Sequence, residues 1–133
     1  MEELKAPTPR ELEILKVLWD LGPSTVRQVY EHRFRDQGVA QNTVQTLLRL
    51  AEKKGLVTFE PQGRTFVYRA AYSRDQSAAQ FVDNVFDGAA SEMVLSLLRS
   101  ERISPAELEQ MRAMIDAARK ANGKQTGPGE GGR

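Results

Sequence analysis

Residues 41–69 read QNTVQTLLRLAEKKGLVTFEPQGRTFVYR, and this stretch decides the fold. Its first part places Val44, Leu47, Leu48 and Ala51 on one face of a helix. Asn42, Thr46, Arg49 and Lys53, spaced i, i+4, i+7 and i+11, line the opposite face. One face suits a core, the other hydrogen bonds and anions. Gly55 stands where a helix C-terminus takes a left-handed residue, and Lys53 and Lys54 sit where the macrodipole favours cations. Leu56 to Glu60 and Thr65 to Ala70 are rich in β-branched and aromatic residues, and Pro61-Gln62-Gly63-Arg64 reads as the turn of a hairpin.

Upstream, Thr8-Pro9-Arg10-Glu11 is a capping box with proline at the first helical position. The helix it opens carries a stripe of Leu12, Leu15, Leu18, Trp19 and Leu21, and Gly22-Pro23 stops it. Ser24 is expected to cap a second, shorter helix that buries Val26, Val29, Tyr30 and Phe34 and ends in the polar run Arg35 to Gly38. Three helices and then a hairpin predict a mainly α, winged helix-turn-helix domain over residues 1–72.

Downstream, Ser73 caps a helix with Ala78, Phe81, Val82, Val85 and Phe86 at three-and-four spacing, and Gly88 interrupts it. Met93, Val94, Leu97 and Leu98 mark another helix. Ser104-Pro105-Ala106-Glu107 repeats the capping box before Leu108, Met111, Ile115 and Ala118. Three such stripes are too small for a core of their own. Since the winged unit already has a core, residues 73–122 are expected to pair with a second copy in a homodimer rather than fold back. Residues 123–133 contain no hydrophobic side chain and are expected to be disordered.

Composition narrows the chemistry. The 133 residues include no cysteine, which excludes disulfides, thiolate zinc sites and cysteine nucleophiles. The start, MEELKAPTPR, leads into no apolar run long enough for a signal peptide or a membrane span, so a cytoplasmic protein without membrane insertion is expected. His32 is the single histidine, on the polar side of a short helix, and none of the phosphate-loop, dinucleotide, metalloprotease or nucleophile-elbow motifs occurs. No catalytic set, metal site or cofactor is expected. Net charge is only +1, yet between Ala40 and Tyr72 five basic residues face two acidic ones.

That local excess and the polar helix face point to double-stranded DNA as partner. In a major groove Asn42 can pair with adenine, Arg49 with guanine or phosphate, and the methyls of Thr43 and Thr46 can touch thymine, with Gln45 at the edge of the face. Lys53, Lys54 and Arg64 suit phosphates, which fix position without reading sequence. The competing reading is a winged-helix module that binds a protein and no DNA. The near-zero net charge favours it, and insensitivity to salt would mark it.

The segments PTPRELEILKVLW, NTVQTLL with KKGLV, and FVYRA resemble the BlaI/MecI/CopY group of bacterial penicillinase-type repressors, over roughly Pro9 to Ile115. The resemblance implies a homodimeric repressor on a palindromic operator, dimerised through its C-terminal helices. It also implies control of β-lactamase, penicillin-binding-protein or copper-export genes and, in the β-lactam systems, inactivation by a protease. The Asn-Phe pair cleaved in the staphylococcal members is absent here, where Ser96-Leu97 stand at the matching positions, and so is the cysteine cluster of the copper-responsive members. Arg49-Leu50-Ala51 and Ala40 also depart from the common pattern, so operator sequence does not carry over.

Overall fold

The computed structural model describes residues 6–125. They form two compact units, one ending at Gly88 and the other beginning at Ala89. The first contains α1 (Pro9–Leu21), β1 (Ser24–Thr25), α2 (Val26–Val29), α3 (Gln41–Lys53), β2 (Val57–Gln62), β3 (Thr65–Ala70) and α4 (Arg74–Phe86). After α2 the chain runs through a wider π-helical turn at Tyr30–Phe34 and a 3-10 turn at Arg35–Gln37.

The capping box of α1 is formed: Thr8 Oγ1 accepts the Glu11 N–H at 3.2 Å and the Glu11 carboxylate accepts the Thr8 N–H at 2.9 Å. Its buried arc is Ile14, Leu15, Val17 and Leu18, selected by packing on α3 and β3 rather than by the leucine spacing. Leu21, expected in the core, stands in the last turn and is 46% exposed. Trp19 packs at the margin of the core and donates Nε1–H to the Tyr72 carbonyl at 2.9 Å.

Ser24 does not cap α2. It enters a strand instead, pairing Ser24 with Tyr68 and Thr25 with Val67, and its hydroxyl donates to the Gly22 carbonyl at 2.8 Å. The cap passes to Thr25, which completes a capping box with Gln28. With two cap-competent residues in succession, the free side of β3 decides between them. The sheet therefore has three antiparallel strands in the order β1-β3-β2 rather than a bare hairpin.

α3 starts from an extended Ala40 without a side-chain cap. It ends in a Schellman motif: Leu56 N–H donates to the Ala51 carbonyl and Gly55 N–H to that of Glu52, with Gly55 at φ +84°. Val44, Leu48 and Ala51 are fully buried, against Ile14, Leu15, Val29 and Phe34 of the core.

β2 and β3 pair from Val57 with Ala70 to Gln62 with Thr65, so only Gly63 and Arg64 form the loop. Pro61, read as turn, belongs to β2. A proline without an N–H is tolerated there because β2 is an edge.

α4 is tied to the first unit. The Tyr72 hydroxyl donates to Gln80, and the Arg74 guanidinium lies 5.1 Å from the Trp19 ring and 3.7 Å from Asp20. The break in contacts therefore falls after Gly88, one helix beyond Ser73.

The second unit contains α5 (Ala90–Arg99) and α6 (Pro105–Gln125). Ser104 and Glu107 form the capping box of α6, with both backbone-to-side-chain bonds at 3.1 Å. α6 continues through Gly123 to Gln125, where a disordered tail was expected. An interior glycine costs a helix only about 1 kcal/mol, not enough to end it. The rest of the expected tail, 126–133, lies outside the described residues.

Candidate nucleic-acid interface

α3 presents the polar face that its spacing predicts. Asn42, Thr43, Thr46, Arg49 and Lys53 are exposed and Gln45 is half-buried, while the opposite face is committed to the core. Thr46 turns its hydroxyl back to the Asn42 carbonyl at 3.1 Å. Among the described residues the Asn42 and Gln45 amides and the Arg49, Lys53 and Arg64 cations make no side-chain hydrogen bond or ion pair.

The β2–β3 wing brings a second wall beside α3. Between them lies a groove of about 350 Å³, with Gln41, Gln45 and Arg49 on the helix side and Arg64, Thr65 and Phe66 on the wing side. Arg49 and Arg64, fifteen positions apart in the chain, thus border one concavity. Gly63 takes φ +66° at the first of the two loop residues, the position where a type II′ turn requires glycine, and this sets Arg64 at the tip.

Tyr68 forms the floor, 4% exposed. Burial pushes its phenol pKa up, the Arg49 charge opposes that rise, and Glu52 adds to it.

Lys54 stands apart from this groove. Its ammonium lies 2.8 Å from Glu11, whose side chain is 5% exposed, so the cation placed among the phosphate contacts is held in an ion pair between α3 and the start of α1. The separation of 43 positions hid that partner from a reading of local spacing.

Sequence reasoning also missed Phe59 and Phe66 on the wing. They are 42% and 48% exposed, with ring centroids 5.0 Å apart. Their strand pattern was visible, but which of the two strand faces outruns the core was not.

His32 lies 4.0 Å from Asp20 on the surface. Among the described residues no group of three His, Asp or Glu side chains stands close enough to hold a metal, and no helix is long and apolar enough to cross a membrane.

The expected dimerisation residues fall in both units. Phe81 and Val85 on α4 are 51% and 55% exposed, Val82 and Phe86 are half-buried, and Phe81 meets Phe86 edge-on at 6.1 Å. In the second unit Met93, Val94, Leu97 and Met111 are half-buried, whereas Leu98, Leu108 and Ile115 are exposed. None of these eleven side chains is fully covered.

Comparison with known proteins agrees with this geometry. The solution structure of the DNA-binding domain of the repressor BlaI superposes with a TM-score of 0.50 at 26% identity, covering 57% of this chain and 93% of that one. The penicillinase repressor of Bacillus licheniformis is 23% identical over 120 residues, 87% of this chain and 94% of the relative. The methicillin resistance regulatory protein MecI of Staphylococcus aureus is 20% identical over 110 residues, 80% of this chain and 89% of the relative. The family model described as penicillinase repressor matches residues 7–117. With a winged-helix fold and a match over most of its length, the chain belongs to the penicillinase repressor family of DNA-binding transcriptional regulators.

Proposed function

We propose that the protein represses transcription as a homodimer on a palindromic operator, with α3 of each copy in the major groove. The observation that carries this reading is the exposed, unpaired polar face of α3 beside a wing that ends in a second unpaired arginine. Asn42, Thr43, Gln45, Thr46 and Arg49 read base edges, while Lys53 and Arg64 meet phosphates. Lys54 reaches a phosphate only by leaving Glu11.

The incompletely covered apolar side chains of α4, α5 and α6 support dimerisation, since patches of this kind on one chain call for a partner. Two winged domains held at fixed spacing add their contacts, so the dimer sets affinity as well as symmetry. The names of the relatives favour genes of the β-lactam response, and a β-lactamase or membrane protease encoded nearby would support that assignment.

The test is an anisotropy titration with duplex DNA. Arg49→Ala is expected to weaken binding to a specific site by about 1 to 3 kcal/mol with the circular dichroism spectrum unchanged. Arg64→Ala weakens binding to every sequence and lowers the salt slope by about one. Unchanged affinity in Arg49→Ala sinks the role of the α3 face, and salt-insensitive binding to a protein partner favours an interaction module instead.

A further inference from the structure

The wing has one apolar face, and that face outruns the core. The register puts Val57, Phe59 and Pro61 of β2 on the same side as Phe66, Tyr68 and Ala70 of β3. At the inner end Val57 and Tyr68 are 1% and 4% exposed and belong to the core. Toward the tip, Phe59 and Phe66 continue the face with nearly half of their surface open to solvent. They pack on each other, and Phe59 on Tyr68 at 5.6 Å, so the rings form a ledge rather than mobile single side chains.

Two half-open phenylalanines at the tip of a two-stranded wing contribute little to the core, and an edge strand with exposed aromatics invites aggregation. Their surroundings point to an occupant. The ledge forms one wall of the groove whose rims carry Arg49 and Arg64, and among the described residues no carboxylate lines it. A ligand that suits it offers anionic groups at the rims and an apolar surface between them. Successive phosphates joined by deoxyribose rings have that composition.

We propose that the groove between α3 and the wing seats one sugar–phosphate strand of the DNA, with its deoxyribose rings on Phe59 and Phe66 and its phosphates at the arginine rims. The inference rests on the DNA-binding reading given above and adds an apolar, salt-independent contact to it. The wing therefore does more than place one cation. It grips the strand beside the major groove through a surface that every nucleotide presents, and so adds affinity without sequence preference.

The experiment uses the full chain and a fluorescein-labelled mixed-sequence duplex, because a backbone contact needs no operator. Anisotropy titrations across a salt series compare the wild type with Phe66→Ala, Phe66→Leu and Phe66→Trp, each checked by circular dichroism and light scattering. Phe66→Ala is expected to weaken binding by about fivefold, the scale of uncovering the apolar surface of half a phenylalanine ring, with the slope of log affinity against log salt unchanged. Phe66→Leu falls between, and Phe66→Trp retains wild-type affinity. If Phe66→Ala does not fold, the leucine and tryptophan variants carry the decision.

Equal affinity in all folded variants overturns the inference, as does a loss that comes with a lower salt slope. A change of oligomeric state at unchanged affinity would assign the ledge to a second copy of the chain. If the wild type does not bind the duplex at all, the proposed function falls along with the inference. If it binds and the Phe66 variants bind equally, the inference alone fails.

Discussion

Glu11 joins the capping of α1 to the placement of α3. Its carboxylate closes the capping box with Thr8 and holds Lys54 at the far end of α3, so one side chain fixes the start of α1 against the C-terminal end of α3. Burial alone raises a carboxyl pKa, but the Lys54 hydrogen bond, the Thr8 N–H and the Lys54 charge outweigh it, and the net shift is downward. Glu13 shifts the same way through the Gln37 amide, against burial and with help from Arg33 and Arg10. A carboxylate with a lowered folded pKa binds fewer protons folded than unfolded. Its stabilisation is complete above the ordinary carboxylate range near about 4.3, and is lost as pH falls through the folded value. Glu11→Gln is therefore expected to cost about 1 to 3 kcal/mol at neutral pH in urea unfolding, and to shrink the further loss as pH falls below about 5. An equal acid-dependent loss in variant and wild type would contradict the assignment. Lys54→Ala should lower stability while leaving the salt slope of DNA binding unchanged, and a slope reduced by about one would return Lys54 to the phosphate contacts. The Thr8-Pro9-Arg10-Glu11 cap was legible because it is local. The Lys54 partner was not, because nothing in a helical pattern announces a contact 43 positions away.

Among the elements, α3 and the wing were legible for a similar reason: a 3.6-residue period, a glycine past the helix end and two β-rich runs are all local signals. β1 was not, because a two-residue strand carries no pattern, and Ser24 is drawn into it by an edge that β3 supplies 44 positions later. Pro61 misled because proline signals a turn unless the strand is an edge, and edge status is a property of the sheet. The loop that remains makes a testable demand. Gly63 stands at φ +66°, and a Cβ built there meets no atom within 4 Å, so any cost of substitution comes from the backbone and not from a clash. Gly63→Val is expected to destabilise the chain by about 1 to 2 kcal/mol in thermal unfolding, the scale of forcing a β-branched residue left-handed. It should also weaken DNA binding in the same direction as Arg64→Ala, since the loop carries that arginine. A variant as stable as the wild type would mean that the loop relaxes to another turn and that the wing tip is not fixed by this glycine.

For the whole molecule we infer that α3 reads DNA and that two chains do so together. The stripes on α4, α5 and α6 were visible in the sequence as apolar spacing, and the structure leaves them only partly covered within a single chain. Phe81→Glu and Leu97→Glu are each expected to convert a dimer to a monomer in light scattering, since a carboxylate buried without a partner costs more than the contact it replaces contributes. Each should also lower affinity for a full operator far more than for half of one. A wild type that is monomeric both free and on DNA would rule out the dimer. Selection from a library of random duplexes, sequencing what the wild-type chain retains, tests operator reading by a dimer most directly. Enrichment of an inverted repeat is expected, with half-sites one or a whole number of helical turns apart, about 34 to 36 Å per turn, and loss of that enrichment in Arg49→Ala. Retention of random sequences without a shared motif, or of a single unrepeated site, would contradict it.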